Sequence, residues 1–263
     1  MLVDAHCHLD RYGDTLRSAL KEIRQHKILT VSNSMDLSSY ARNREIGQMC
    51  DLVLPTFGVH PWNAPLYVEQ LKNLHNAIEQ TPILGEIGLD HHFVEDRSQY
   101  LAQRKVFEFF LAAAAEQKKV VILHTKGAEK EVLHLLNSYD LQRVIVHWYS
   151  GPLDIFREFL ARGSYFTMGV AVLRSEHAQA IARKVPSNQL LTETDNPGGL
   201  EGLTGQSGMP SAIRDVIHVL AELRKTTVKD IIRTIRSNFI RLTEDDPWLL
   251  ETCAVLKRNC DTG

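Results

Sequence analysis

Six short segments each close an apolar run with residues that can hold a divalent cation. The first, Asp4-Ala5-His6-Cys7-His8, places two histidines two positions apart. In extended backbone alternate side chains share a face, so His6 and His8 point the same way. Gly58-Val59-His60, Gly85-Glu86-Ile87-Gly88-Leu89-Asp90, His124, His147 and Glu193-Thr194-Asp195 are the other five. Imidazole and carboxylate are suitable ligands for such a cation. A cation so held lowers the pKa of water from about 15.7 to about 7, which supplies a hydrolase with its nucleophile near neutral pH. Two cations a few ångströms apart need a carboxylate between them, and Glu86, on the middle strand of the set, suits that role. His6 and His8 with Asp195 then take one cation, and His124 with His147 the other. Asp195 has a second task available, orienting or deprotonating water, so Asp195 and Glu86 are the expected catalytic residues. The cofactors expected are two divalent ions, zinc, manganese or magnesium, and the histidines favour the first two over magnesium, which prefers oxygen.

Other ionisable residues read differently. Cys7 falls on the opposite strand face from its two neighbours and is expected in the core. Asp4 faces the core and can tether a ligand histidine. His26, His75, His134, His177 and His218 sit in helical patterns and are expected at the surface.

Residues that meet from six separate segments need a scaffold that brings strand ends together. The sequence predicts eight strands, at Leu2–Asp4, Ile28–Ser32, Leu52–Gly58, Ile83–Gly88, Val120–His124, Val144–His147, Tyr165–Gly169 and Leu190–Glu193. Each is a continuous apolar run, as strands covered on both faces require. Helical patterns intervene, near Asp14–Lys27 and most clearly over Tyr100–Lys118, where Val106, Phe107, Phe110, Leu111 and Ala114 recur at helical spacing. Eight such units in 263 residues predict an α/β fold, a TIM-type (β/α)8 barrel, whose chemistry lies at the strand C-termini. An open doubly wound sheet is the alternative, and the absence of GxGxxG after the first strand disfavours it. An additional C-terminal helix is expected over Thr227–Leu242. The domain reading is a barrel over residues 1–243 and a C-terminal tail over 244–263. Between Asn196 and Pro210 the glycine- and proline-rich sequence predicts an irregular loop over the barrel mouth.

Composition narrows the function classes. With 44% hydrophobic and 24% charged residues the chain can bury one large core. A net charge of −2 and a pI near 6.6 exclude a protein that coats nucleic acid by charge alone, so any nucleic-acid chemistry must come from a local patch or from the cations. No apolar run is long enough to span a bilayer, and Met1-Leu2-Val3-Asp4 lacks the pattern of a secretory leader. The four cysteines, Cys7, Cys50, Cys253 and Cys260, form no CxxC pair. A cytoplasmic protein without a membrane partner is expected.

These motifs, in this order, resemble the TatD-type metal-dependent hydrolases among the amidohydrolase-like barrels. Asp4-Ala5-His6-Cys7-His8-Leu9-Asp10, Gly58-Val59-His60-Pro61, Gly85-Glu86-Ile87-Gly88-Leu89-Asp90, Val121-Ile122-Leu123-His124, His147-Trp148-Tyr149-Ser150-Gly151 and Leu191-Thr192-Glu193-Thr194-Asp195-Asn196-Pro197 carry the resemblance. Ser237-Asn238-Phe239 resembles the closing segment, so it runs from residue 2 to about 243. It implies one or two divalent metals held by His6, His8, Glu86, His124, His147 and Asp195. It also implies hydrolysis of phosphodiester bonds, with DNA as the partner and substrate, that is, a deoxyribonuclease. The sequence departs from the family where substrate would sit. After His124 it reads Thr125-Lys126-Gly127 where an arginine is usual, and the loop after the last strand lacks the usual aromatic and Asn-Glu-Pro elements. His60 and Lys126 are therefore the expected substrate contacts, Lys126 as a point charge without a bidentate fork. His91 and His92 either line the mouth or are plain loop residues, and Trp148 and Tyr149 either stack a base or pack beneath it. Two other functions fit the ligands: hydrolysis of an amide or ester, such as an aminoacyl linkage on RNA, and a barrel kept as a subunit of a larger assembly.

Overall fold

A computed structural model describes residues 1–247 and 249–258. Cys260 and the rest of the expected tail beyond Arg258 lie outside the described residues. Among the described residues eight strands alternate with helices: β1 (Leu2–Cys7), β2 (Ile28–Ser32), β3 (Val53–Pro55), β4 (Ile83–Gly88), β5 (Val120–His124), β6 (Val144–Val146), β7 (Tyr165–Met168) and β8 (Leu190–Thr192). The chain forms two compact units, one of Met1–Ser32, Asn43–Leu54 and the stretch from Phe166 onward, the other of Asn33–Arg42 and Pro55–Tyr165.

In the first unit β1 pairs parallel with β2, Val3 opposite Leu29 and Asp4 opposite Thr30. β7 pairs parallel with β8, Phe166 opposite Leu190 and Met168 opposite Thr192. The first and last strands are joined by side chain and backbone: the Thr192 hydroxyl donates to the Val3 carbonyl at 2.6 Å, and the His8 amide donates to the Asn196 carbonyl at 2.9 Å. The expected C-terminal helix is present as Val228–Thr243, opened by the Thr227 hydroxyl accepting from the Asp230 amide. Its apolar stripe buries Ile231, Ile235, Phe239 and Leu242. From the same face Asn238 donates to the carbonyls of Ser187 (2.7 Å) and Leu190 (2.8 Å), which pins the start of β8.

The second unit holds β4, β5 and β6, all parallel, with Ile83 opposite Val120 and Val121 opposite Val144. The helix Tyr100–Gln117 packs on β4 and carries the expected stripe of Val106, Phe107, Phe110, Leu111 and Ala114, all buried. Each large side chain so buried stabilises the fold by about 1.5–3 kcal/mol. Two glycines let backbones meet at the strand ends. A Cβ on Gly58 would lie 2.5 Å from the Glu86 carbonyl oxygen. Gly88 has φ +147°, and a Cβ there would lie 1.9 Å from the His124 carbonyl oxygen.

β3 is shorter than the sequence reading, Val53–Pro55 where Leu52–Gly58 is expected, and two further segments differ from it. The 196–210 stretch, expected to be an irregular loop, contains the short helix Gly198–Thr204. Asn196 organises it: its Oδ1 accepts from the Leu200 amide (3.0 Å), and its Nδ2 donates to the Met209 carbonyl (2.9 Å). Within the expected tail lies the helix Leu250–Arg258, with Leu249, Cys253 and Leu256 buried at i, i+4 and i+7. Among the described residues, no helix is long and apolar enough to cross a membrane.

Candidate functional site

In the first unit β1 delivers both histidines of the opening motif to one point. His6 Nε2 and His8 Nε2 lie 3.3 Å apart, and Asp195 Oδ1 lies 3.4 Å from the first and 3.3 Å from the second. Asp195 is brought there by backbone, since its amide donates to the His6 carbonyl at 2.8 Å and its φ is +54°. Both histidines are buried, while a quarter (25%) of the Asp195 side chain is exposed. Burial raises the Asp195 pKa, but hydrogen bonds from His6 and His8 outweigh it and hold the carboxyl well below the usual carboxylate range. Two nitrogens and one carboxylate oxygen with edges of 3.3–3.4 Å are the donor set and spacing of one cation's ligands. Tetrahedral bonds of 2.0–2.1 Å put neighbouring ligand atoms about 3.3 Å apart.

Asp4, on the same strand, is fully buried. It holds His6, as expected, but through the backbone amide. Its carboxylate accepts from the Thr194 hydroxyl (2.6 Å) and amide (2.9 Å) and from the His6 amide (3.4 Å), so it tethers the β8 end and the His6 backbone rather than an imidazole ring. Burial pushes its pKa up to about 7. Cys7 is buried, as its face predicts, and burial pushes its thiol pKa up.

The second unit gathers His60, Glu86, His124 and His147. Glu86 Oε1 lies 2.7 Å from His124 Nδ1, 2.8 Å from His147 Nε2 and 3.5 Å from His60 Nε2. The His124 and His147 nitrogens are 3.4 Å apart. A carboxylate that sequence reasoning left without a role, Asp90, fixes this cluster. Its Oδ2 lies 3.1 Å from His124 Nε2 and also accepts the Trp62 indole N–H at 2.8 Å. Its Oδ1 accepts the amides of His92 (2.9 Å) and Phe93 (2.8 Å). Burial raises the Asp90 pKa, and these hydrogen bonds, led by His124, more than reverse it, leaving the carboxyl well below its usual range. Burial likewise lowers the His124 pKa, but Asp90 and Glu86 raise it further, for a net rise.

These contacts assign the ring protons. His124 donates from Nε2 to Asp90, which turns the Nδ1 lone pair toward Glu86 Oε1, so a proton or a metal cation must lie between the two. A ligand imidazole whose other nitrogen donates to a carboxylate is the usual arrangement around a protein-bound metal. His60 is the reverse case: its Nδ1 accepts the Trp62 amide at 3.2 Å, so its Nε2 carries the proton and acts as a donor. The sequence signal for Asp90 was its place at the end of the third motif, two residues after β4.

Lys126, the expected cation, stands apart from the cluster. Its Nζ donates to the Ser150 hydroxyl at 2.7 Å and lies 5.8 Å from the Phe93 ring centroid. His91 stacks on Tyr100 at 3.8 Å, while His92 and Phe93 are exposed. Tyr149 is buried against Phe156 and Phe159 with its hydroxyl on the Pro152 carbonyl, so of the two readings for that residue packing is the one observed.

The sequence profile of the TatD-related DNases matches residues 3–244. The chain belongs to the TatD-related DNase family. This TatD-family chain is a metal-dependent hydrolase, as its relatives are named. It is 29% identical to an uncharacterized metal-dependent hydrolase of Escherichia coli strain K12, with 95% of this chain and 98% of that protein covered. It is 25% identical to a putative deoxyribonuclease of Mus musculus, with 92% and 87% covered. Among solved structures it is similar to the Escherichia coli TatD homologue YJJV, with a TM-score of 0.82, 26% identity, and 92% and 97% of the two chains covered. The fold class of this TatD-family protein is thus α/β of the TIM-barrel type, as the strand–helix alternation predicts.

Proposed function

We propose that this TatD-family hydrolase cleaves phosphodiester bonds, with DNA as its substrate, and uses two divalent cations. His6, His8 and Asp195 would hold one cation, and Glu86, His124 and His147 the other. What carries the reading is the His6–His8–Asp195 triangle, whose 3.3–3.4 Å edges suit one cation. The nitrogen-rich donors favour zinc or manganese over magnesium. The family name and the mouse relative's description support DNA as the substrate. When bound, such cations act as Lewis acids and bring the ionisation of water toward neutral pH.

The chain's own residues do the rest. Asp195, partly exposed, orients the attacking water and takes its proton. The water oxygen bonds to phosphorus while the ester P–O bond breaks, and the proton that Asp195 took passes through solvent at its exposed edge to the leaving oxygen. His60, with its proton on Nε2, donates to a phosphate oxygen. Asp90 keeps the His124 ring in one orientation throughout. Lys126 adds a positive charge for the substrate backbone. The test is cleavage of labelled single- and double-stranded DNA and RNA across zinc, manganese and magnesium, with a carboxyl ester as comparison. Cleavage of the ester alone would overturn the phosphodiester reading.

A further inference from the structure

Two large aromatic side chains beside the His60–Glu86–His124–His147 cluster are left in solvent. Trp62 is 43% exposed and Phe93 60% exposed, whereas Phe57, Phe107, Phe110, Phe156 and Phe159 of the same unit are buried. Their rings meet edge to face, 6.1 Å apart at 81°, and make a right-angled corner. The corner is held in place from beneath. The Trp62 indole N–H is anchored on Asp90 Oδ2, and the Phe93 amide on Asp90 Oδ1. Trp62 also packs edge-on against His60 at 4.7 Å, and His60 against His124 at 4.6 Å. An unbroken row of rings therefore runs from the cluster to the exposed corner. Lys126, whose ammonium lies 5.8 Å from the Phe93 ring, adds a positive charge at its edge. Exposed aromatic rings of fixed orientation next to a cation are the elements that proteins use to hold an unpaired base and its phosphate. A stacked duplex base offers no free face, so the corner selects unpaired nucleotides.

We infer that Trp62 and Phe93 form the base-recognition corner of this hydrolase, stacking an unpaired nucleobase while Lys126 meets the attached phosphate. The inference rests on the phosphodiester reading for its substrate, but stacking is measurable without cleavage. Calorimetric titration of the full chain with thymidine 5′-phosphate and with 2-deoxyribose 5-phosphate reads the contribution of the base directly. The expected result is at least about ten-fold tighter binding of the base-bearing ligand, the size of one base–aromatic stack. Phe93→Leu, whose side chain makes no hydrogen bond, and Trp62→Leu should each narrow that ratio several-fold. In cleavage assays both variants should lower the preference for single-stranded DNA over an oligonucleotide with an abasic site beside the scissile bond. Equal binding of the two ligands by the wild type, or a ratio unmoved by both variants, would overturn the corner whether or not the protein cleaves DNA. Base-dependent binding that the variants weaken, with no cleavage of any phosphodiester, would support the corner and overturn the reaction assigned above.

Discussion

Asp90 Oδ2 lies 3.1 Å from His124 Nε2, and that one contact leaves the other ring nitrogen, Nδ1, facing Glu86 Oε1 at 2.7 Å. The same carboxylate accepts the Trp62 indole and two backbone amides, so all of its lone pairs are directed.

Asp90→Asn is therefore expected to weaken cation binding by about 10–100-fold, the usual cost of losing such a supporting carboxylate. An asparagine can still accept the amides of His92 and Phe93. Its Nδ2, however, would face two donors, His124 Nε2–H and Trp62 Nε1–H. Competition against a chelating dye measures the affinity, and an unchanged constant would remove Asp90 from the cation's surroundings.

Asp195→Asn should reduce hydrolysis to below a tenth of wild type while thermal melting changes by no more than a few degrees. Asparagine tolerates the left-handed backbone, so φ +54° is kept, while the charge and the proton acceptor are lost. Turnover set beside the melting curve separates the two effects. Activity above a tenth of wild type would sink the assignment.

His6→Ala and His8→Ala should each lower the metal content of the purified protein. Because the two nitrogens are 3.3 Å apart and share Asp195, the double variant should lose little more than the worse single one. Elemental analysis gives the stoichiometry, and full occupancy in both single variants would contradict the ligand assignment.

Lys126→Ala is expected to raise the Michaelis constant for a nucleic-acid substrate more than it lowers turnover, since a charge on the substrate backbone binds ground and transition states alike. The effect should shrink as salt rises, because such a contact is screened. Steady-state kinetics at low and high ionic strength will show it.

Gly88→Ala should destabilise the fold by at least about 2 kcal/mol, a drop of roughly 5 °C in melting temperature. At φ +147° an alanine is strained, and its methyl would overlap the His124 carbonyl. A melting temperature equal to wild type would mean that the β4 and β5 ends can part freely.

Much of this was legible in the sequence, for a physical reason. β2, β4 and β5 begin and end where their apolar runs do, because strands covered on both faces leave no polar position to blur the boundary. The His-x-His pair and Asp195 were readable because strand alternation and motif order suffice to place them. Asp90 was not, because nothing in a linear sequence says which of several donors a carboxylate will face. Trp62 and Phe93 were missed in favour of Trp148 and Tyr149, which follow a ligand histidine directly. Tyr149 is drawn inward by Phe156 and Phe159, whereas the exposure of Phe93 follows from the fold of residues 90–93 around Asp90. The helix Gly198–Thr204 was hidden by its glycines, since its start depends on the side chain of Asn196.

The joining of β1 to β8 has a consequence for the order in which this protein matures. Val3 and Thr192, 189 positions apart, are bonded to each other. A chain leaving the ribosome therefore carries the His6–His8 pair through most of its synthesis without the carboxylate that completes the triad. With the ligands proposed above, cation capture there would wait for the pairing of the first strand with the last, which closes a long loop and is intrinsically slow. In refolding from denaturant, uptake of an indicator metal at this triad would time the meeting of the two ends of the polypeptide.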